Sequence, residues 1–336
     1  MLEGITFRPL TRDTVVFVQE NRPVDRVIWL NGQLVPWGDA TVHVLSHSLQ
    51  RGSLVFDYLS LNSTPRGPAV FRLDLHMQRM LRSCELMGLP IELDEDDLSR
   101  AVIEAARANP DGRAIKASAY FASVELDVVP VDSRVSVAIA VYDPEEDIVS
   151  RPPKQEGAGR RRSIRLWLEK EAHQRREDIV SPQAKVSANY ASSMTAKARA
   201  QRLGFDEILL IDEEGHVAEG PTTNVFVVDR EGVLVTPPEK QVLKGVTRQS
   251  VIELAEDSGI EFGERPIEPG ELAGAREVFL TGTTAGVLPV ESVDDQKIGD
   301  ACPGPLSIEL GERLSRAETG DDPAFDHWLT YIEEGA

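Results

Sequence analysis

Alternating apolar and polar residues mark where the first sheet of the chain begins. The segment RVIWLNGQLVPW, residues 26–37, alternates around Asn31-Gly32 and therefore predicts a β-hairpin with a tight turn. Residues 73–89 and 94–110 carry apolar residues at helical spacing, and the second segment starts with acidic residues, which favour a helix N-terminus. Two further segments predict strands, at 114–125 and 133–143. The first half is thus expected to be α+β.

The second half of the chain mixes strands and helices without a regular alternation. Its pattern predicts a strand at 163–169, a helix at 189–204, hairpin strands from 207–220 into 224–238, a helix at 245–259 and a strand at 277–286. A doubly wound parallel sheet would need a regular strand–helix alternation, so this order argues against one.

A segment rich in proline, glycine and charge separates the two halves. Residues 143–162 show no apolar periodicity, which is typical of a linker. A chain of 336 residues also exceeds what one hydrophobic core usually serves. We therefore predict an irregular N-terminal extension at 1–25, a small α/β domain at 26–143, an interdomain linker at 144–162 and a large domain at 163–336.

Charge and cysteine content narrow the possible partners. The formal net charge of -20 disfavours nucleic acid and anionic membrane surfaces, so an anionic ligand would need a local basic site. Two distant cysteines, Cys84 and Cys302, predict neither a disulfide framework nor a thiolate metal site. His43 and His47 have the spacing of metal ligands on a helix but no third ligand nearby, so we predict no metal. No apolar run approaches membrane length and no basic leader precedes one, which favours a cytoplasmic protein.

One lysine stands in an unusual setting. The sequence lacks the GxGxxG, GxxxxGK[ST], HExxH and GxSxG motifs, which removes support for several common chemistries. In SPQAKVSANYASS, however, Lys185 lies among small residues just before a predicted helix. A nucleophilic lysine must be partly desolvated, and small neighbours leave room for a flat cofactor. Taken alone, the same pattern also fits a solvated surface lysine.

Three later segments supply groups suited to pyridoxal-5'-phosphate (PLP). VAEGPTTN places Glu219 after a hairpin strand, and a carboxylate can hold a pyridine nitrogen protonated. LKGVTR places Gly245, Val246 and Thr247 where a loop enters a helix, which offers free N–H groups to a phosphate. TGTTAG, residues 281–286, ends a strand in hydroxyls. Individually these segments also fit a surface acid, a helix cap and a turn.

The order of the motifs resembles a known family. AKxxxNY, AEGxxxN, GxTR and TGTTAGxxPV follow one another as in the branched-chain-aminotransferase branch of the fold-type IV PLP enzymes. The likeness also covers WLNGQLVPWGDATVHVLSHSLQRG, FRLDLHMQRM and FDHWL, and it extends over residues 26–332. It implies an α/β (α+β) fold of two domains with PLP in the interdomain cleft, and a homodimer.

The resemblance also implies roles for individual residues. Lys185 is the expected Schiff-base lysine, Glu219 the expected partner of the ring nitrogen, and Tyr190 the expected hydrogen-bond partner of the 3'-oxygen. Arg79, in HMQR, is expected to bind the phosphate. The remaining expected phosphate contacts are Val246, Thr247 and Thr283. Thr283 and Thr284 are also expected at the substrate carboxylate, and Ala285 is a further expected substrate-binding residue.

The implied reaction is a ping-pong transfer of an amino group from an amino acid or amine to a 2-oxo acid such as 2-oxoglutarate. The substrate strand QRGSLVFDYLS keeps Phe56 but departs from the family at Arg51, Tyr58 and Ser60. Tyr58 replaces a glycine and should reshape the side-chain pocket. Arg51 could bind a carboxylate, or it could lie at the rim paired with an acid such as Asp57.

Alternatives to an ordinary branched-chain enzyme remain open at this point. Lys116, in IKAS, falls near the place of a family arginine, but the alignment there is loose. An (R)-selective amine transaminase or a D-amino-acid transaminase would share the TTAG motif, and a PLP lyase of the aminodeoxychorismate type would share the fold. A PLP-binding protein without catalysis is disfavoured because Lys185, Glu219 and Arg79 are all present.

Overall fold

The computed structural model describes residues 25–148, 163–170 and 176–333. The expected N-terminal extension and most of the expected linker lie outside these residues. The strands are β1 (Val27–Leu30), β2 (Gln33–Pro36), β3 (Val55–Thr64), β4 (Gly67–Phe71), β5 (Ala114–Phe121), β6 (Val135–Tyr142), β7 (Ile164–Glu169), β8 (Glu207–Leu210), β9 (Asn224–Val228), β10 (Leu234–Thr236), β11 (Phe262–Glu264), β12 (Glu277–Gly282), β13 (Gly286–Val293), β14 (Gln296–Lys297) and β15 (Leu329–Tyr331). The α-helices are α1 (His47–Arg51), α2 (Leu73–Met87), α3 (Glu95–Arg107), α4 (Ser187–Arg202), α5 (Val246–Asp257) and α6 (Pro305–Thr319).

The first sheet has seven antiparallel strands in the order β15-β4-β3-β5-β6-β1-β2. Helices α2 and α3 bury their apolar faces against it, with Met77 and Leu98 fully enclosed. The hairpin at Asn31-Gly32 is confirmed, with φ values of 48° and 88° that fit a primed turn. The acidic start of α3 is a capping box, because Asp94 and Asp97 each accept a hydrogen bond from the other's backbone N–H.

The second sheet has eight strands in the order β11-β10-β9-β12-β13-β7-β8, with β14 beside β13. It mixes parallel and antiparallel pairs, and neighbours such as β7 and β8 are parallel. The segment 207–238 differs from one continuous hairpin. Strand β8 lies at the sheet edge, the chain folds back so that Ile211 pairs with Val217, and β9 then crosses to pair with β10 and β12. Helices α5 and α6 cover one face of this sheet.

Two segments from the second half of the chain join the first sheet. Strand β15 pairs with β4, so Leu329 lies opposite Phe71. The segment before α4 also crosses, because Val186 pairs with Val55 and is buried in the same cluster as Met77. The division into domains at residues 143–163 stays a prediction, and these crossings mean that the two sheets share a seam. No helix among residues 25–148, 163–170 and 176–333 is long and apolar enough to span a membrane.

Candidate active site

A cavity of about 260 Å³ lies at the seam between the two sheets. It is walled by β3 and α2 on one side, and by the end of β12, the 219–224 loop and the start of α5 on the other. All of the expected site residues except Arg51 and Ala285 line it: Phe56, Tyr58, Arg79, Lys185, Tyr190, Glu219, Val246, Thr247, Thr283 and Thr284. Residues far apart in the sequence therefore meet in one pocket.

Lys185 is held from both sides of its backbone. Its N–H donates to Ser83 Oγ of α2 at 3.0 Å, and its carbonyl accepts from the N–H of Phe56 in β3 at 3.0 Å. The side chain enters the cavity, where Nζ donates to Tyr190 Oη at 3.0 Å and lies 5.2 Å from the Phe56 ring centroid. The lysine amine is thus held beside the phenol of Tyr190 and above the ring of Phe56. Lys185 itself lies two residues before α4, which begins at Ser187.

Arg79 reaches the cavity from α2 and is anchored by Asp57. Its Nε and Nη2 donate to the two carboxylate oxygens of Asp57 at 2.8 and 2.7 Å, and its Nη1 donates to the carbonyl of Lys244 at 3.2 Å. Burial alone would raise the pKa of Asp57, but the charges and hydrogen bonds of Arg79 and His76 outweigh burial and hold this pKa well below its usual range. The pair is therefore ionised and rigid.

The same carboxylate organises its other neighbours. His76 Nδ1 donates to Asp57 at 2.6 Å, and the backbone N–H of Tyr58 donates to it at 2.8 Å. Burial lowers the pKa of His76, and the positive charges of Arg79 and Lys185 act in the same direction against the opposing effect of Asp57. Asp57 thus links the arginine on α2 to the part of β3 that carries Phe56 and Tyr58.

Glu219 is buried in the wall opposite β3. Its Oε2 accepts hydrogen bonds from Asn224 Nδ2 at 3.1 Å and from the N–H of Leu243 at 3.2 Å. Asn224 itself is packed so tightly against Gly245 that a Cβ there would lie 1.9 Å from Asn224 Oδ1, so only glycine fits. This close approach brings the start of α5 beside the carboxylate.

The rest of this wall offers neutral donors. Val246 and Thr247 form the first turn of α5, whose leading N–H groups have no partner within the helix and carry the positive end of its dipole. Thr223 Oγ1 and Thr281 Oγ1 are buried hydroxyls that have no hydrogen-bond partner in residues 25–148, 163–170 and 176–333. An anchored arginine, a helix N-terminus and spare hydroxyls fit a phosphate, and Lys185 with Glu219 fits the ring of PLP.

The side of the cavity expected to receive the substrate is aromatic, and the basic Lys116 lies beside the cavity without lining it. Burial raises the pKa of Tyr58 to about 12, with a smaller effect from Tyr142. Lys116 lies directly opposite Tyr58 on β5, and its Nζ is 4.8 Å from the Phe56 ring centroid. Loss of water and the nearby charge of Lys185 lower the pKa of Lys116.

Two expected substrate residues lie elsewhere. Arg51 ends α1 at the surface, where its Nη2 donates to the carbonyl of Leu126 at 2.5 Å. The suggested pairing of Arg51 with Asp57 is wrong, because Asp57 lies on the buried face of β3 and binds Arg79. Ala285 is not part of the cavity lining, and its N–H closes a turn onto the carbonyl of Gly282 at 3.0 Å.

Several residues that line the cavity were missed from the sequence. The role of Asp57 in the site was missed as well, although the alternation of strand β3 could have identified it. The missed residues are Pro221, Thr222, Thr223, Asn224 and Leu243, whereas Thr281 belongs to the TGTTAG segment already singled out. In VFDYLS, Asp57 falls on the same face as Val55 and Leu59, so strand alternation alone puts a charge among core residues. A buried aspartate needs a cation, and Arg79 in the adjoining helix supplies it.

Known proteins resemble the chain over most of its length. The family described as Amino-transferase class IV matches residues 55–293. A branched-chain-amino-acid aminotransferase of Pseudomonas aeruginosa is 33% identical over 310 residues, covering 92% of this chain and 98% of the relative. The Escherichia coli K12 enzyme of the same name is 31% identical, with 91% and 97% covered.

Solved structures give the same result. A T.th. branched-chain amino acid aminotransferase solved with pyridoxamine 5'-phosphate superposes with a TM-score of 0.83 at 35% identity, covering 92% of this chain and 99% of that one. The Escherichia coli enzyme superposes with a TM-score of 0.83 at 30% identity, with 92% and 100% covered. The two-sheet α/β architecture expected from the motifs is thereby confirmed, and this chain belongs to the class IV aminotransferases, which makes it a PLP-dependent aminotransferase.

Proposed function

We propose that this aminotransferase moves the amino group of an amino acid to a 2-oxo acid with Lys185 as the residue that carries PLP. The observation that supports this most strongly is the position of Lys185 Nζ, 3.0 Å from Tyr190 Oη in the cavity that also contains Glu219 and the start of α5. No other lysine lines this cavity among residues 25–148, 163–170 and 176–333.

The remaining cofactor roles follow from the walls of the cavity. Glu219, held by Asn224 and Leu243, would be the acidic partner of the ring nitrogen and would keep it protonated. Tyr190 donates to the 3'-oxygen. The phosphate is bound by Arg79 and by donors from Val246, Thr247 and Thr283. When bound, PLP supplies an electron sink for the electrons released at the substrate Cα.

Lys185 also acts as the acid and base of the reaction. With PLP bound, Nζ of Lys185 would remove a proton at the substrate Cα and return it at the cofactor C4'. Tyr190 keeps Nζ within the cavity, and the backbone contacts to Ser83 and Phe56 keep the lysine from moving away. One amine therefore serves as anchor and as proton carrier.

The part of the cavity proposed to bind the amino donor is narrower and more polar than an open apolar pocket would be. The relatives from Pseudomonas aeruginosa and Escherichia coli are named for branched-chain amino acids, which makes these the first candidate donors here. Tyr58 brings a phenol into the lining, and Lys116 adds a cation on the same face of the sheet. We expect Tyr58 to crowd a leucine side chain and Lys116 to attract carboxylates in a chain of net charge -20.

A second copy of the chain is the proposed partner. Two surface segments form what we term the apolar face, which is made of Val42, Val44, Leu45, Leu49, Leu126, Val128, Val129 and Val131. The segments are joined because His47 Nε2 donates to the carbonyl of Val128 at 2.9 Å. Contiguous exposed apolar surface of this kind usually marks an interface. The apolar face adjoins β3 through α1, so a dimer would cover the chain close to the cavity.

We also propose that the protein works in the cytoplasm. Cys84 is buried and Cys302 is half-buried, and both are free thiols. Burial raises the pKa of Cys84 to about 12, which keeps this thiol protonated and unreactive. Free, unreactive thiols are typical of proteins in a reducing compartment.

The lysine assignment has a direct test. Lys185→Ala should abolish turnover and prevent borohydride from fixing PLP to the protein, because the amine that forms the bond is gone. Lys197→Ala is the matched control, since Lys197 lies on α4 and pairs with Glu207 outside the cavity lining. Peptide mapping of the reduced protein measures the attachment site. PLP fixed to any lysine other than Lys185 would refute the assignment.

Glu219→Gln should leave folding close to that of the wild type and lower kcat by roughly 10²–10³-fold, because a neutral amide cannot keep the ring nitrogen protonated. Glu219→Asp retains the charge and should recover part of the loss. Steady-state kinetics measure the effect, and thermal unfolding checks that both variants are folded. Wild-type kcat in Glu219→Gln would remove the proposed role.

Tyr58→Gly should widen the pocket and shift the donor preference towards L-leucine by about 10–200-fold, the usual range for a gap of one or two methylenes. Bleaching of the yellow cofactor band under single-turnover conditions measures this with L-leucine, L-glutamate, D-alanine and (R)-1-phenylethylamine. Ser60→Gly, on the same strand but outside the lining, is the control. An unchanged ranking in Tyr58→Gly would exclude Tyr58 from the pocket, and a wild-type preference for either of the last two donors would favour the D-amino-acid or amine alternative.

Sedimentation should give twice the chain mass for the wild type and the chain mass for Val128→Asp/Val129→Asp, because each chain would have to bury two carboxylates in the interface. Leu203→Asp is the control, since Leu203 is exposed at the end of α4 and outside the apolar face. Circular dichroism shows whether the double variant is folded. A folded double variant that remains dimeric would rule out this surface.

A further inference from the structure

The wall beside Glu219 contains buried hydroxyls to which the proposed function assigns no individual contact. Thr223 Oγ1 and Thr281 Oγ1 line the cavity and make no hydrogen bond within residues 25–148, 163–170 and 176–333. Buried polar groups almost always have a partner, and a missing one points to a ligand. We propose that Thr281 is a further cofactor-binding residue, whose hydroxyl donates a hydrogen bond to the phosphate of PLP.

The position of Thr281 is set by β12 and its neighbours. Thr281 is 0% exposed and lies opposite Asn224, the residue that holds Glu219. Its neighbour Gly282 packs against the 219–224 loop, where an added Cβ would lie 3.3 Å from the carbonyl of Thr222. Side chains alternate between the two faces of β12, so Thr281 shares its face with Phe279, which is buried in the same cluster as Leu254 of α5. Thr281 therefore lies on the side of β12 that α5 covers, in the lining of the cavity that also contains Glu219 and the start of α5.

The chemistry of PLP selects the phosphate as the acceptor, and this step rests on the proposed roles of Lys185, Tyr190 and Glu219. The ring nitrogen is a donor when Glu219 holds it protonated, so it cannot accept from Thr281. The 3'-oxygen is taken by Tyr190, and C4' is bonded to Lys185. The phosphate oxygens are the remaining acceptors, and a charged acceptor gives the stronger hydrogen bond.

The variant Thr281→Val distinguishes a contact with the ligand from a structural role, because the two roles predict opposite changes in the Tm of the apoprotein. Valine keeps the shape of threonine and removes the hydroxyl. In the apoprotein this deletes a buried group without a partner, so Tm should rise by roughly 2–4 °C. In the holoenzyme it deletes a hydrogen bond to an anion, so the Kd for PLP should rise about 10–100-fold.

The experiment titrates apoprotein with PLP and with pyridoxal, which lacks the phosphate, and follows protein fluorescence. Thr281→Val should weaken PLP and leave pyridoxal within about twofold of the wild type, whereas Thr281→Ser should restore PLP binding. Thr236→Val is the matched control, because Thr236 is equally buried but donates to the carbonyl of Val225 at 2.7 Å. It should lower Tm with or without PLP and leave both Kd values unchanged.

Three results would overturn the proposal. They are a PLP affinity of Thr281→Val equal to that of the wild type, equal losses for PLP and pyridoxal, and a fall in the Tm of the apoprotein together with the loss of PLP affinity. The proposed role of Lys185 fails by a different observation. In that case, peptide mapping of the reduced wild-type protein would find PLP attached to another residue.

Discussion

The ion pair between Asp57 and Arg79 is the interaction on which the site depends. Asp57 belongs to the first sheet, Arg79 to the helix packed on it, and Arg79 also donates to the carbonyl of Lys244 at the entrance to α5. The chain of contacts therefore crosses the seam between the two sheets at the cavity wall. Both side chains are buried, and removing one member of such a pair typically costs about 3–5 kcal/mol because the other is left as an unpaired charge. The pair thus holds the two walls of the cavity in a fixed position relative to each other.

The placement of Lys185 depends on the same seam. The lysine follows the expected linker in sequence, yet Ala184 and Val186 are buried in the core of the first sheet. Glu219 and the start of α5, in contrast, are held by the second sheet and its loops. The proposed Schiff-base lysine and the helix N-terminus proposed to bind the phosphate are consequently positioned by different parts of the fold. Neither half of the chain contains a complete site, which explains why the chemistry lies at their junction.

Local signals in the sequence predicted most of the elements and the core of the site. Asn31-Gly32 specified its turn, Asp94 its helix start, and the spacing of Lys185, Glu219 and Thr247 identified the family. Contacts between distant segments could not be predicted in this way. Nothing local in residues 329–331 indicates that they pair with β4, since strand pairing depends on the whole fold. The surface position of Arg51 likewise depends on the carbonyl of Leu126, a contact across 75 residues.

The acidity of the chain constrains how it can bind an anionic cofactor. Arg79 brings a positive charge to the side of the cavity proposed to bind the phosphate, but Asp57 offsets that charge at hydrogen-bond distance. The wall that faces it contributes no further cation, and among the described residues it is lined by the first turn of α5 and by threonine hydroxyls. These donors carry partial charges fixed by the backbone and by side-chain packing, and in a buried site they are little weakened by solvent or salt. In a protein of net charge -20, the proposed phosphate site would therefore rely on oriented neutral donors and one arginine, because directed dipoles can replace a cluster of positive charges in the wall of the cavity.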